Sequence, residues 1–185
     1  MPSESLNIIA PALGLPGYSE TEILGAVTWL WMHSPRHRDL PLIALSQAVL
    51  APLKAQQFIL ASVANPDGSF RPVAYVAWAN FNAEAERHYL QVGATALLRA
   101  EEWGSGDRMW ITDWVTPFGH AAQFCRVVQT LLSDSCIRTL YHRGDKRGHR
   151  LMTMHGTRVL PSVAQAWWRA RPLLEQCATN QIGNQ

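Results

Sequence analysis

The sequence predicts a single α/β domain, a central mixed sheet flanked by helices, and three observations carry that expectation. Ser19-Glu20-Thr21-Glu22 places a capping box ahead of an apolar helical stripe. Asn65-Pro66-Asp67-Gly68 separates two β-prone runs in the manner of a hairpin turn. Between Arg108 and Tyr141 a strand, a loop, a helix and a second apolar run follow one another, which is the order of a parallel crossover unit. A length of 185 residues fits one such domain.

Taken in order, residues 1–18 hold Pro2, Pro11, Gly14, Pro16 and Gly17, so a Pro/Gly-rich tail is expected there, with regular structure beginning after it and the domain filling 19–185. Ile23, Val27 and Leu30 share one helical face, and Pro35 forbids the αR conformation at Ser34, which ends the first helix. A second short helix is expected from Pro41 to Leu50, with Pro52 beyond its end. Gln57–Val63 and Val73–Trp78 form the hairpin, and Asn82 caps a helix starting at Ala83, with helical character resuming over Ala94–Trp103 until Gly104-Ser105-Gly106. Arg108–Val115 reads as a strand, Thr116-Pro117-Phe118-Gly119 as a turn and Ala121–Leu132 as a helix. Cys136–Tyr141 is the expected parallel return strand, and a basic loop, Arg143–Gly148, leads to a last strand near Arg150–His155.

Composition narrows the function classes. Hydrophobic residues make up 48% and charged residues 16%, so the chain folds, and a net charge of +2 lacks the basic excess of a general nucleic-acid binder. Cys125, Cys136 and Cys177 show neither CxxC spacing nor an even count, and none of the seven histidines has metal-ligand spacing, so neither a disulfide framework nor a metal site is expected. There is no secretory signal pattern and no apolar run of membrane-spanning length, which makes a cytoplasmic protein the expectation. Eight tryptophans exceed ordinary core needs and point to a ligand pocket or an association surface.

Two segments could carry chemistry. In Trp110-Ile111-Thr112-Asp113-Trp114-Val115, alternation sets Asp113 with Ile111 and Val115, so a carboxylate enters apolar company and needs a partner. It either orients a histidine or acts as an acid or base, or it is a structural Asp holding loop amides. In Ser34-Pro35-Arg36-His37-Arg38, a hydroxyl and an imidazole share a turn, and the flanking guanidiniums favour a neutral imidazole; the plainer alternative is a solvated surface histidine. Thr116-x-x-Gly119-x-Ala121 partly echoes the Gln/Arg-x-x-Gly-x-Gly/Ala loop of GNAT acetyltransferases, with Gly119 before a helix N-terminus that favours phosphate.

Three groups of residues join these pieces. Trp29-Leu30-Trp31-x-x-Ser34-Pro35-x-His37-Arg38, then Val73-Ala74-Tyr75 with Trp78-Ala79-Asn80, then Ser105-Gly106-Asp107-Arg108-x-Trp110 with Asp113-Trp114-x-x-Pro117-Phe118-Gly119, resemble the toxin-activating lysine acyltransferases that mature repeats-in-toxin cytolysins. The resemblance covers about residues 23–132. It implies a GNAT-like fold, no tightly bound cofactor, a fatty acyl chain supplied by acyl carrier protein and placed on an internal lysine of a protoxin, and a homodimer. It also implies that His37 and Asp113 are catalytic, with Ser34, Asn80 and Gly119 on the substrate side. The competing readings are an acetyl-CoA-dependent GNAT enzyme acting on a small amine, and a Trp-rich binding module without turnover.

Overall fold

The computed structural model describes residues 5–15, 17–92, 98–142 and 149–173. The first four residues of the expected tail with its Pro16, residues 94–97 of the expected helical continuation, the basic loop 143–148 and Cys177 lie outside them. Six strands form one sheet in sequence order: β1 (Leu6–Ile9), β2 (Phe58–Ala64), β3 (Phe70–Phe81), β4 (Arg108–Val115), β5 (Cys136–His142) and β6 (His149–His155). Every neighbouring pair is antiparallel except β4 and β5, which run parallel as the crossover pattern requires. The helices are α1 (Glu20–Met32), α2 (Ile43–Ala48), α3 (Leu50–Lys54), α4 (Ala83–Val92), α5 (Ala121–Leu131) and α6 (Pro161–Ala170). This is the α/β architecture expected, a mixed sheet between helices, and it is consistent with a GNAT-like fold.

The capping box at α1 forms as read: Ser19 Oγ accepts from the Glu22 amide, and the Glu22 carboxylate accepts from the Ser19 amide at 2.8 Å. Asn82 Oδ1 likewise accepts from the Ala85 amide at 2.8 Å and starts α4. Ile23, Val27, Leu30 and Trp31 of α1 then bury against one face of the sheet with Leu53, Tyr75 and Val115, while Phe124 and Val128 of α5 bury against the other face with Ile59, Val76, Ile111 and Ile137.

Four expectations need correction. Regular structure begins before Ser19: Leu6–Ile9 pairs with β2 as an edge strand, and Pro11–Leu13 forms a 3-10 turn closed by Gly14 at φ +75°. Breaker residues there turn the chain after a short strand rather than abolish structure. The single helix expected to stop before Pro52 is two short helices broken at Val49, and Pro52 lies in the first turn of α3, where its missing amide would have been unpaired in any case. Helix α6 was not expected; Pro161 at its first position is the signal that marks it.

The fourth correction bears on the site. Ala77 of β3 faces Asp113 while the next residue, Trp78, faces Ile111, so Thr112 is an extra residue, a β-bulge in β4. Simple alternation therefore fails there. Ile111 falls on the α5 face with Trp78, whereas Trp110, opposite Ala79, shares the α1 face with Asp113 and Val115.

On that α1 face Trp110 belongs to a buried polar cluster. Glu86 of α4 accepts from Trp110 Nε1 at 2.8 Å, from Arg138 of β5 at 2.6 Å and from Arg108. Arg138 also donates to the carbonyls of Trp168 and Arg171, which fastens the end of α6 to the sheet. Glu86 and Arg138 are each 3% exposed, so the ion pair is fully enclosed and every donor around the carboxylate is matched. Trp31, Trp78, Trp103 and Trp110 are all core residues, so half of the eight tryptophans are accounted for without any association surface.

Candidate active site

Pro35 stops α1, and the chain turns at once: the Ser34 carbonyl accepts from the amides of His37 and Arg38, both at 3.0 Å. The turn brings Ser34 and His37 side chains together, with Ser34 Oγ 2.8 Å from His37 Nδ1. The other ring nitrogen, Nε2, lies 3.0 Å from Asp113 Oδ1 across 76 residues of sequence. A carboxylate only accepts, so Nε2 carries hydrogen toward Asp113, and in the neutral ring Nδ1 accepts from the Ser34 hydroxyl. Ser34, His37 and Asp113 are 8%, 5% and 6% exposed, so the surface-histidine reading of His37 gives way to a buried chain of three groups.

Asp113 is held by more than the histidine. The Trp114 amide donates to Oδ1 at 2.9 Å, and the Trp31 indole Nε1 donates to Oδ2 at 3.2 Å. The same indole lies against the His37 ring, centroids 4.8 Å apart and 30° between planes, and so helps to hold the ring's orientation. The sequence pattern alone assigns Trp31 no task at the site. Its signal was the four-residue spacing from Ile23 through Val27, which aims it at the sheet three residues before Ser34. Replacing Trp31 with Phe keeps a ring against His37 and removes the bond to Asp113; turnover is expected to fall roughly tenfold, about 1.4 kcal/mol in the barrier. Acylation rates measured beside a thermal melt check this, and an unchanged rate would remove Trp31 from the site.

Neighbouring phenols are buried. The Tyr75 hydroxyl is fully buried beneath the cluster with no hydrogen-bond partner among the described residues, and burial first, then the charge of Asp113, holds its pKa far above the usual phenol value. Tyr89 is raised for the same first reason; there Arg36 pulls the value down and Asp113 pushes it up. Both phenols stay neutral, so the charge at the site is set by Asp113, His37 and the neighbouring Arg36.

Asn80 and Gly119 are not joined to this chain by any hydrogen bond. Asn80 lies three residues beyond Ala77 on β3, on the α5 face, and its backbone holds the loop from Trp103 to Gly106, with bonds of 2.8 and 2.9 Å. Gly106 packs so closely there that a Cβ would come within 2.5 Å of the Phe81 carbonyl oxygen. Gly119 sits at φ +84° between β4 and α5, a conformation that favours glycine, and the ring of its neighbour Phe118 lies tilted against His33 at the end of α1, centroids 5.2 Å apart. Among the described residues, no three His, Cys, Asp or Glu side chains converge as metal ligands.

Beside the cluster a groove of about 380 Å³ opens between β4 and β5. The two strands pair only from Met109 to Ile111 against Ile137 to Thr139; beyond that point, where the bulge at Thr112 begins, they separate. Asp113 and Arg36 line the groove on the α1 face, and Trp114, Met152 and Met154 line it on the α5 face.

A buried Ser-His-Asp chain at the mouth of an apolar cleft suits acyl transfer to an amine, and comparison with known proteins agrees. The sequence model of the RTX toxin acyltransferase family matches residues 17–155. The chain belongs to that family. The chain is 36% identical over 143 residues to the RTX-I toxin-activating lysine-acyltransferase ApxIC of Actinobacillus pleuropneumoniae, a match covering 77% of this chain and 79% of that one. It is 37% identical over 145 residues to the protein-lysine myristoyltransferase HlyC of Escherichia coli, covering 77% and 80% of the two chains. A shorter match, 42% over 95 residues, covers 51% of this chain and 48% of the protein-lysine palmitoyltransferase CyaC of Bordetella bronchiseptica. The matched residues of this RTX toxin acyltransferase include Ser34, His37 and Asp113, and stop before α6. No helix among its described residues is long and apolar enough to cross a membrane.

Proposed function

We propose that this protein transfers a fatty acyl chain from acyl carrier protein to an internal lysine of a protoxin and so activates it. The observation that supports this most is the buried Ser34–His37–Asp113 chain beside an apolar groove. A lysine amine has a reference pKa of about 10.4, so at pH 7 roughly one in 2,500 is neutral and nucleophilic. His37 takes the proton at Nδ1, the nitrogen that Ser34 otherwise occupies, and Asp113 stabilises the imidazolium through Nε2. The neutral amine then attacks the thioester carbonyl; the C–N bond forms, the C–S bond breaks as His37 gives its proton to the departing thiolate, and the second proton left on the new amide nitrogen passes to the freed His37 and on to solvent. Ser34 keeps Nδ1 in register until the acceptor arrives.

Asn80 and Gly119 enter this reading as substrate-side residues only through the parts of the chain they shape. Gly119 fixes the turn that carries Phe118 against α1, and Asn80 anchors the loop holding Gly106. The first position of the glycine loop is Thr116, where a pyrophosphate-binding GNAT loop has Gln or Arg, in keeping with a phosphopantetheine donor that carries one phosphodiester. The protein is further proposed to work as a cytoplasmic homodimer without a tightly bound cofactor. Exposed Trp29, Met32, Leu40, Leu42 and Ile43, an apolar run beside the site turn, support the association.

One experiment tests the donor and the route together. Protoxin is incubated with the enzyme and equal concentrations of myristoyl-acyl carrier protein or myristoyl-CoA, and peptides are mass-analysed. Acyl-lysine is expected with the carrier protein at a rate well above that with CoA; equal rates would overturn the carrier assignment. Enzyme given donor alone is expected to keep its unmodified mass, and a stable acyl adduct on Ser34 would replace direct transfer with an acyl-enzyme.

A further inference from the structure

Between the splayed β4 and β5, the groove beside Asp113 is lined from both sides of the sheet. Register decides which residue stands where. Thr139 is the partner of Met152, and Ile137 the partner of Met154, so these side chains share the face on which Ile111 and Trp114 lie. Met152 is thus level with the point where the strands part, whereas Met154 is one step deeper, level with Met109 and Ile137, where they are still paired. Met154 also packs into the core cluster of Phe124 and Val128 of α5. The groove is therefore open beside Asp113 and closed at Met154.

We infer that the acyl chain of the donor passes through this opening to the α5 face, and that Met154 is the stop that sets how long a chain is accepted. The inference rests on the acyl-transfer reading above and names the part of the site that reading leaves unassigned. Three observations point to a hydrocarbon occupant. Apart from Arg36 and Asp113 at the mouth and the hydroxyls of Thr112, Thr139 and Tyr141, the walls are apolar: Ile111, Trp114, Leu140, Met152 and Met154. Large apolar side chains stay open to solvent on its rim, Tyr141 at 56% and Met152 at 45%. Asp113, the partner of His37, lines the mouth, so a thioester held at that pair has an apolar groove directly beside it for its chain. An unbranched, polarisable methionine makes an adaptable end wall, and its size fixes the depth.

The test varies Met154 alone. Met154→Trp shortens the groove and Met154→Ala lengthens it; Val163→Ala, at an exposed position on α6, serves as the control. Each protein is given protoxin and an equimolar mixture of C10 to C18 acyl-acyl carrier proteins, and the chains found on lysine are counted by mass spectrometry. Burial of one methylene is worth roughly a factor of four, so loss of room for two carbons is expected to lower the yield of the longest accepted chain relative to one two carbons shorter by roughly tenfold or more in Met154→Trp. Met154→Ala is expected to shift the distribution the opposite way, and Val163→Ala not at all. Displacement of a fluorescent fatty acid by free C10 to C18 fatty acids gives a second readout that needs neither donor protein nor acceptor, and the same order of lengths is expected.

A parent protein that acylates lysine, with both Met154 variants folded and giving its chain distribution unchanged, would overturn the inference. A parent that forms no acyl-lysine from any donor would overturn the acyl-transfer reading instead, and the displacement profile would then decide the groove by itself. If one Met154 variant fails to fold, the other still moves the profile in its own direction or refutes the stop.

Discussion

Asp113→Asn is expected to lower the acylation rate by about 10⁴, near 5 kcal/mol in the barrier, as removal of the corresponding carboxylate does in a serine protease. The geometry gives the reason. All three partners of Asp113 are donors: His37 Nε2 and the Trp114 amide on Oδ1, and Trp31 Nε1 on Oδ2. Asparagine offers one oxygen and one NH₂, so one of the two sides must set donor against donor. If the NH₂ faces Trp31, an indole N–H is stranded in a buried place, which costs about 1–3 kcal/mol of stability. If it faces His37, the ring must turn its unprotonated nitrogen toward position 113, which puts hydrogen on Nδ1 and removes the base. Either way the negative charge that stabilises the imidazolium is gone. Thermal unfolding and acylation rate are measured on the same preparation, and a destabilised protein of normal specific activity would return Asp113 to a purely structural role.

His37→Ala is expected to abolish acylation. It also lowers stability, because the imidazole is buried between Trp31 and two hydrogen-bond partners rather than solvated. Leaving the Asp113 carboxylate without its histidine donor costs about 2 kcal/mol, which in a domain of this size lowers Tm by roughly 4–8 °C. The hole left has the shape of imidazole and keeps Ser34 on one side and Asp113 on the other. Added imidazole is therefore expected to restore part of the rate without restoring the native Tm in full. A His37→Ala protein that acylates at the parental rate would exclude His37 as the base.

Ser34, His37 and Asp113 stand out in the sequence because their constraints are local, while the catalytic roles expected of His37 and Asp113 come from the family resemblance. Pro35 must end α1 where it stands, so Ser34 and His37 had to share a turn, and an Asp inside a strand needs a partner. What could not be read is anything that depends on strand pairing. The bulge at Thr112 leaves no mark in the sequence, since Trp110 to Val115 is apolar on both faces, and the residue count that would show it belongs to β3 across the ladder. Alternation therefore set Ile111 beside Asp113, while the structure puts Trp110 on that face. Trp31 was hidden by its own suitability for the core; burial against the sheet and a bond to Asp113 make the same demand on helical spacing. Helix α6 carried its Pro161 signal, but Arg138, which holds the helix end, gives no sequence hint of where its guanidinium goes.

The strand at Leu6–Ile9 has a meaning for the molecule's behaviour in company. It lies outside the family match, which starts at residue 17, and it pairs residue for residue with Leu60 to Val63 of β2. β2 reads Phe-Ile-Leu-Ala-Ser-Val-Ala, without a charge or a proline, and is buried almost throughout. A bare edge of that composition is a template on which a second chain could add as a further strand, the first step of cross-β aggregation. Four residues, flanked by the turn at Pro11–Leu13, occupy that template and are too short to offer a good one themselves. The breaker-rich N-terminal segment is thus a guard on colloidal solubility, and it stands at the edge of the sheet opposite to β6, which walls the groove.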